Sequence, residues 1–161
     1  MAGAKNIIGI DINEDKKEVA LAFGITEFVN PKTLDVPIDE YLKQNYPNGI
    51  DYAFDCIGNQ TVIDTAHKSL SLYGTLVLVG VPPKGTSLLV DVANFLTGKK
   101  VVGAFLGGKD CQEGYTELVE MYVSGRYDVD RLVTNTFSLE QINEAFQFLK
   151  EGKCIRSLIR F

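Results

Sequence analysis

Asp11 closes an apolar run, Asn6–Asp11, and stands just before a helix-forming segment. In a dinucleotide-binding unit, an acid at that place accepts hydrogen bonds from the adenosine ribose hydroxyls. Its charge would also repel a 2′-phosphate, which favours NAD over NADP. A plainer alternative is that Asp11 only caps the helix after the strand, and these residues alone leave both readings open. A glycine fingerprint, G-x-G-x-x-G, belongs roughly 20 residues upstream of such an acid. Only ten residues precede Asp11, Gly3 alone does not supply the fingerprint, and Gly107-Gly108 follows an apolar run without the spacing. Either the nucleotide reading fails, or the chain begins partway through the unit.

Other reactive side chains are few. The chain has one histidine, His67, and three cysteines, Cys56, Cys111 and Cys154. No C-x-x-C pair occurs, so no zinc ribbon or thioredoxin-type pair is encoded locally. His67 reads as an ordinary surface residue of a helix, and the cysteines as buried or half-buried thiols. A reduced, cytoplasmic setting fits them best. The net charge is −5, and Lys16-Lys17 and Lys99-Lys100 are pairs rather than patches. A nucleic-acid partner is therefore not expected. No apolar run approaches the length needed to cross a bilayer, so no membrane partner is expected. Met1–Lys5 shows no secretory h-region.

The elements that must position these residues alternate strand and helix, the pattern of an α/β fold with parallel strands. Strands are predicted at Asn6–Asp11, Glu27–Val29, Asp51–Ile57, Thr75–Val79 and Val101–Leu106. Helices are predicted at Glu14–Phe23, with Asn13 as N-cap and Gly24 as its stop, and at Pro37–Asn45 and Thr61–Leu70. After Gly107-Gly108 a helix spans Glu113–Ser124, with Tyr115, Leu118, Val119 and Tyr122 at i, i+3, i+4, i+7. An extended segment follows at Arg131–Phe137. Ser138 and Gln141 form a capping box. The helix they open is expected to bury Ile142, Ala145, Phe146 and Leu149. Ile155–Phe161 is a terminal strand.

An ordered series of motifs resembles the C-terminal part of the zinc-type medium-chain alcohol dehydrogenases. It runs through Ala2-Gly3-Ala4-Lys5-Asn6-Ile7-Ile8-Gly9-Ile10-Asp11-Ile12-Asn13, Phe23-Gly24-Ile25-Thr26-Glu27 and Asn30-Pro31-Lys32. It continues at Gly49–Asn59, Val79-Gly80-Val81-Pro82-Pro83, Leu96-Thr97-Gly98-Lys99 and Gly107-Gly108, and ends at Gly152–Ser157. The Asp55–Asn59 stretch leans toward the glutathione-dependent formaldehyde dehydrogenase branch. The resemblance implies a Rossmann-like, doubly wound parallel α/β sheet truncated at its N-terminus, without its first strand and glycine loop. It divides the chain into a truncated NAD-binding domain, residues 1–106, and a segment, residues 107–161, that returns to the catalytic domain in the parent fold.

The same resemblance implies site roles. Asp11 would bind the adenosine ribose, Ile12 would pack on adenine, and Lys16 would reach a ribose hydroxyl. Val79, Ala104 and Leu106 match positions whose backbone holds the nicotinamide carboxamide. Arg156 matches an arginine that pairs with the pyrophosphate, where a forked guanidinium suits paired oxygens. Asn59 stands where many members carry arginine and receives no phosphate role. Zinc belongs to the full-length family, and its ligands do not match Cys56, Cys111 or Cys154. No catalytic or metal-binding residue is therefore expected in this chain, NAD binding should be weak or absent, and the chain alone should be inactive. Val101–Phe105 would pair across a two-fold axis in a homodimer. A non-enzymatic dimerisation or nucleotide-binding module is the rival reading.

The absent first strand would lie between Asn6–Asp11 and Asp51–Ile57. Buried strand groups left unpaired cost about 1–3 kcal/mol each. The two strands are therefore expected to pair directly, or a second chain to fill the slot.

Overall fold

Apolar runs become strands, and the segments between them become helices that return the chain in the same direction. The computed structural model describes residues 2–108 and 110–161, apart from the side chains of Asn94 and Leu106. The chain forms two units, Met1–Asn30 with Asp110–Phe161, and Pro31–Lys109.

In the first unit, β1 (Ile8–Ile10) pairs in parallel with β2 (Glu27–Val29), Ile8 opposite Glu27 and Ile10 opposite Val29. A 3-10 turn, Glu14–Lys16, and helix α1 (Lys17–Ala22) cross between them. Asn13 caps the turn as predicted, its Oδ1 accepting from the Asp15 amide at 3.0 Å. A second parallel pair joins β6 (Val133–Ser138) to β7 (Arg156–Arg160) through helix α6 (Ile142–Lys150). The Ser138 capping box is formed, with the Ser138 amide donating to Gln141 Oε1 at 3.1 Å. Val29, Phe137, Ala145 and Cys154 are this unit's buried apolar residues. Phe137 meets Phe148 edge-on, centroids 5.3 Å apart.

The second unit holds β3 (Ile50–Asp55), β4 (Leu70–Leu78) and β5 (Lys100–Gly103) in that order, all parallel. Helix α2 (Ile38–Asn45) leads into β3, α3 (Gln60–Ser69) crosses from β3 to β4, and the short α4 (Val92–Phe95) precedes β5. Helix α4 carried no sequence signal. Ile63, Leu70 and Leu76 form the core, with Ala53, Ala66, Leu78 and Val101 against it. Leu76 is fully enclosed.

Several expectations need correction. β1 hydrogen-bonds to β2 and β3 to β4, in separate sheets, so the direct pairing of Asn6–Asp11 with Asp51–Ile57 is not formed. Each pairing is set by its own crossover. Cys56 and Cys111 are exposed, and only Cys154 is buried. Desolvation and then the Asp55 carboxylate push the Cys56 thiol above its ordinary pKa, so its reactive thiolate is disfavoured. In α6 only Ala145 is buried; Ile142, Phe146 and Leu149 are exposed. Helix α5 (Cys111–Val123) likewise exposes Tyr115, Leu118, Val119 and Tyr122. In both helices the apolar stripe exists, but the described residues do not cover it.

His67 is buried, not a surface residue. It shares the inward face of α3 with Ile63, and its ring lies 6.2 Å from Phe95. Its Nε2 has no hydrogen-bond partner among the described residues. Burial first and the Lys99 charge second lower its pKa, while Asp64 opposes them. The unfolded chain therefore takes the proton first, and stability should be full above about pH 6.5 and fall as pH drops below it. Urea midpoints measured from pH 7.5 to 5 should fall in the wild type and flatten in His67→Leu. Parallel curves for the two proteins would refute the assignment.

Candidate functional site

The carboxyl end of β1 turns into the Glu14–Lys16 turn through Asp11, Ile12 and Asn13. The Asp11 amide donates to Val29 O at 3.2 Å, so the backbone continues the β1–β2 ladder one residue past the strand. Its carboxylate is held from two sides. Asn13 N donates to Oδ1 at 2.9 Å, and Lys16 Nζ lies 2.9 Å from Oδ2. A carboxylate offers about four acceptor sites, so these two bonds leave acceptors for a pair of vicinal hydroxyls. Lys16 is thus fixed beside Asp11 rather than free on a charged surface. Ile12 projects outward, 59% exposed, as a flat aromatic ligand would require.

Asn30, at the end of β2, donates through Nδ2 to Ile12 O at 3.4 Å and to Glu14 Oε2 at 3.2 Å. It braces the same loop, a role the sequence reading missed. The residue was visible there only as half of Asn30-Pro31. Arg156 opens β7 opposite Val133, on the exposed surface of the same unit. Its guanidinium has no ion-pair partner among the described residues.

In the second unit, Val79 and Ala104 lie just past the carboxyl ends of neighbouring strands. The register sets Leu78 opposite Gly103, and the Ala104 amide donates to Leu78 O at 2.9 Å. Val79 N donates to Asp55 O at 2.9 Å, and Gly80 N to the same oxygen at 2.8 Å. Leu106 begins a 3-10 turn, Leu106–Gly108, and its side chain lies outside the described part of the structure. Beside these residues Asp55 is buried, 1% exposed. Its carboxylate accepts from the amides of Ile57 at 3.2 Å and Gly58 at 3.0 Å. Asn59 caps α3, its Oδ1 accepting from Thr61 N at 2.9 Å. Ligands of open parallel sheets bind outside the carboxyl ends of strands, and both groups of residues sit at such ends.

Comparison with known proteins decides the family. Residues 1–124 match the family described as zinc-binding dehydrogenase. The chain belongs to the zinc-binding dehydrogenases. The geraniol dehydrogenase of Carpoglyphus lactis is 54% identical over 158 residues, which are 98% of this chain and 42% of that protein. The class-3 alcohol dehydrogenase of Oryza sativa subsp. japonica is 41% identical, again over 98% of this chain and 42% of its own length. Benzyl alcohol dehydrogenase from Acinetobacter calcoaceticus superposes with a TM-score of 0.89 at 29% identity, covering 99% of this chain and 43% of that one. The chain thus spans less than half the length of these zinc-binding dehydrogenases. Its parallel α/β arrangement matches their Rossmann-like NAD-binding domain.

Two groups tied to the family fit this chain differently. The Asp11 carboxylate, with acceptors to spare and exposed Ile12 beside it, suits an adenosine. For zinc the donors do not converge: among the described residues no three His, Cys, Asp or Glu side chains could hold a metal ion. The one histidine is buried and the cysteines are dispersed. Among the described residues no helix is long and apolar enough to cross a membrane.

Proposed function

We propose that the chain is the C-terminal, cofactor-binding part of an NAD-dependent zinc alcohol dehydrogenase. The reaction of the whole protein is oxidation of an alcohol to a carbonyl compound, with a hydride passing from the carbinol carbon to NAD and the hydroxyl proton released. Similar proteins named for geraniol and benzyl alcohol favour alcohols with an apolar body as the substrate class. The chain contributes no catalytic residue, and alone it is inactive. In this reading Asp11 accepts the ribose hydroxyls, Ile12 packs on adenine, and Lys16 fixes the carboxylate while donating to a hydroxyl. Arg156 meets the pyrophosphate, and Val79, Ala104 and Leu106 offer backbone groups to the carboxamide. The partners are NAD and a second copy paired along Val101–Phe105, where Val102 is exposed at 43%. The setting is cytoplasmic, in keeping with three unpaired cysteines.

The observation that carries this reading is the Asp11 carboxylate, held by Asn13 N and Lys16 Nζ beside an exposed apolar residue. Titration of the chain with NAD tests it. Weak binding is expected in the wild type, at least tenfold weaker in Asp11→Ala, since charged hydrogen bonds contribute about 1.5–3 kcal/mol. Unchanged affinity in the variant would place the site elsewhere.

A further inference from the structure

Besides its carbonyl, which accepts from the Lys16 amide at 3.3 Å, Asn13 makes three hydrogen bonds in three directions. Its backbone N–H donates to Asp11 Oδ1 at 2.9 Å, and its Oδ1 accepts from the Asp15 amide at 3.0 Å. Its Nδ2 donates to the Gly152 carbonyl at 3.1 Å, across 139 residues of sequence. The first bond orients the ribose acid. The second caps the turn that carries Lys16. The third reaches the turn that closes α6, four residues before Arg156.

That turn is itself well braced. Gly152 N donates to Leu149 O at 3.1 Å and Lys153 N to Phe148 O at 3.0 Å. Cys154 is buried, and Ile155 N donates to Thr134 Oγ1 at 3.1 Å. Asn13 therefore ties a short, two-stranded β1–β2 pair to a segment already fixed on α6 and β6.

We propose that Asn13 is a positioning residue that sets the spacing between the ribose-binding end of β1 and the segment bearing Arg156. It rests on the NAD reading above and deepens it, since one carboxamide links the groups assigned to two parts of the same dinucleotide. The requirement is chemical. A helix cap needs only an acceptor, which Ser, Thr or Asp also supplies. The bond to a carbonyl needs a donor of this reach as well; a hydroxyl both donates and accepts but is shorter, whereas the Asn13 amide reaches Gly152 while accepting from Asp15.

Two substitutions separate the roles. Asn13→Ser keeps an acceptor for the Asp15 amide and loses the reach to Gly152, whereas Asn13→Ala loses both. Titration with NAD and with AMP should show Asn13→Ser weakening NAD about fivefold, the size of one hydrogen bond. AMP, which does not extend along the full pyrophosphate, should change less than twofold. The thermal midpoint of Asn13→Ser should stay near wild type while that of Asn13→Ala falls. Arg156→Gln should cost less NAD affinity in the Asn13→Ser background than alone. Equal losses for NAD and AMP, or no loss for NAD, would overturn the proposal. Absence of NAD binding in the wild type would reject the cofactor reading alone. The link is then decided by amide resonances. In Asn13→Ser they should move at Lys153–Arg156, and shifts confined to Asp11–Lys16 would overturn it.

Discussion

Gly80→Ala should destabilise the second unit by about 3 kcal/mol or more, by overpacking and by loss of buried hydrogen bonds. A Cβ on Gly80 would press on the backbone nitrogen of Gly58, and it would stand 2.6 Å from both N and C of Ile57. These are main-chain atoms, so no side chain can swing aside. They are also the peptide groups that Asp55 holds, through Ile57 N at 3.2 Å and Gly58 N at 3.0 Å. Moving them would strip the buried carboxylate of partners. Gly58 is itself closely packed, since a Cβ there would stand 2.6 Å from Val81 C and 2.7 Å from Pro82 N, and its own φ is +77°. The cost is a large fraction of the ~5–15 kcal/mol that holds a typical domain. Gly103→Ala is the control, since its Cβ would meet nothing within 4 Å and its φ is not positive. Urea unfolding of both variants reads the difference. A Gly80→Ala loss no larger than that of Gly103→Ala would show that the crossing is not tight. NAD binding should also weaken in Gly80→Ala, because Val79 and the Asp55 loop share the same anchor.

The parts of this fold that are legible in sequence are those whose partners are local. Asn13 as a cap, Gly24 as a stop, and the Ser138–Gln141 box each bind within a few residues, and each is formed. Asp11 was legible because its place at a strand end is a local fact. What the sequence hid depends on distant partners. The Asn13–Gly152 bond spans 139 residues, and no spacing announces it. The burial of His67 was available and overlooked. Ile63, Ala66, His67 and Leu70 stand at i, i+3, i+4 and i+7, which is the inward stripe of a helix. Polarity suggested surface, but periodicity decided otherwise. The stripes on α5 and α6 were read correctly as apolar, and that on α6 wrongly as covered. A stripe records that a face favours burial, not that the same stretch of chain supplies the cover.

A longer chain carrying the upstream half of the relatives' length should close the open side of the second unit. All-parallel sheets are ordinarily covered on both faces. Here α3 covers one, burying Asp55 and Leu76 with Ala53 and Leu78 behind it. On the other face Tyr52 is 66% exposed, Phe54 63% and Val102 43%, with Phe54, Val77 and Val102 aligned across the three strands. Among the described residues β3 pairs only with β4, so it is an edge of its sheet. An edge that is apolar, aromatic and unpaired is a template for another strand. Covering Tyr52, Phe54 and Val102 should contribute a few kcal/mol, at ~25 cal/mol per Å² of apolar area. Hydrogen exchange of the Ile50–Asp55 amides on the outer edge is the direct measurement, with light scattering to fix the mass. In the 161-residue chain those amides should exchange quickly, and the longer chain should slow them at least a hundredfold. Slow exchange in the short chain together with a dimeric mass would mean that a second copy fills the edge. Slow exchange in a monomer would defeat the argument, because no strand would then be missing from that side of the sheet.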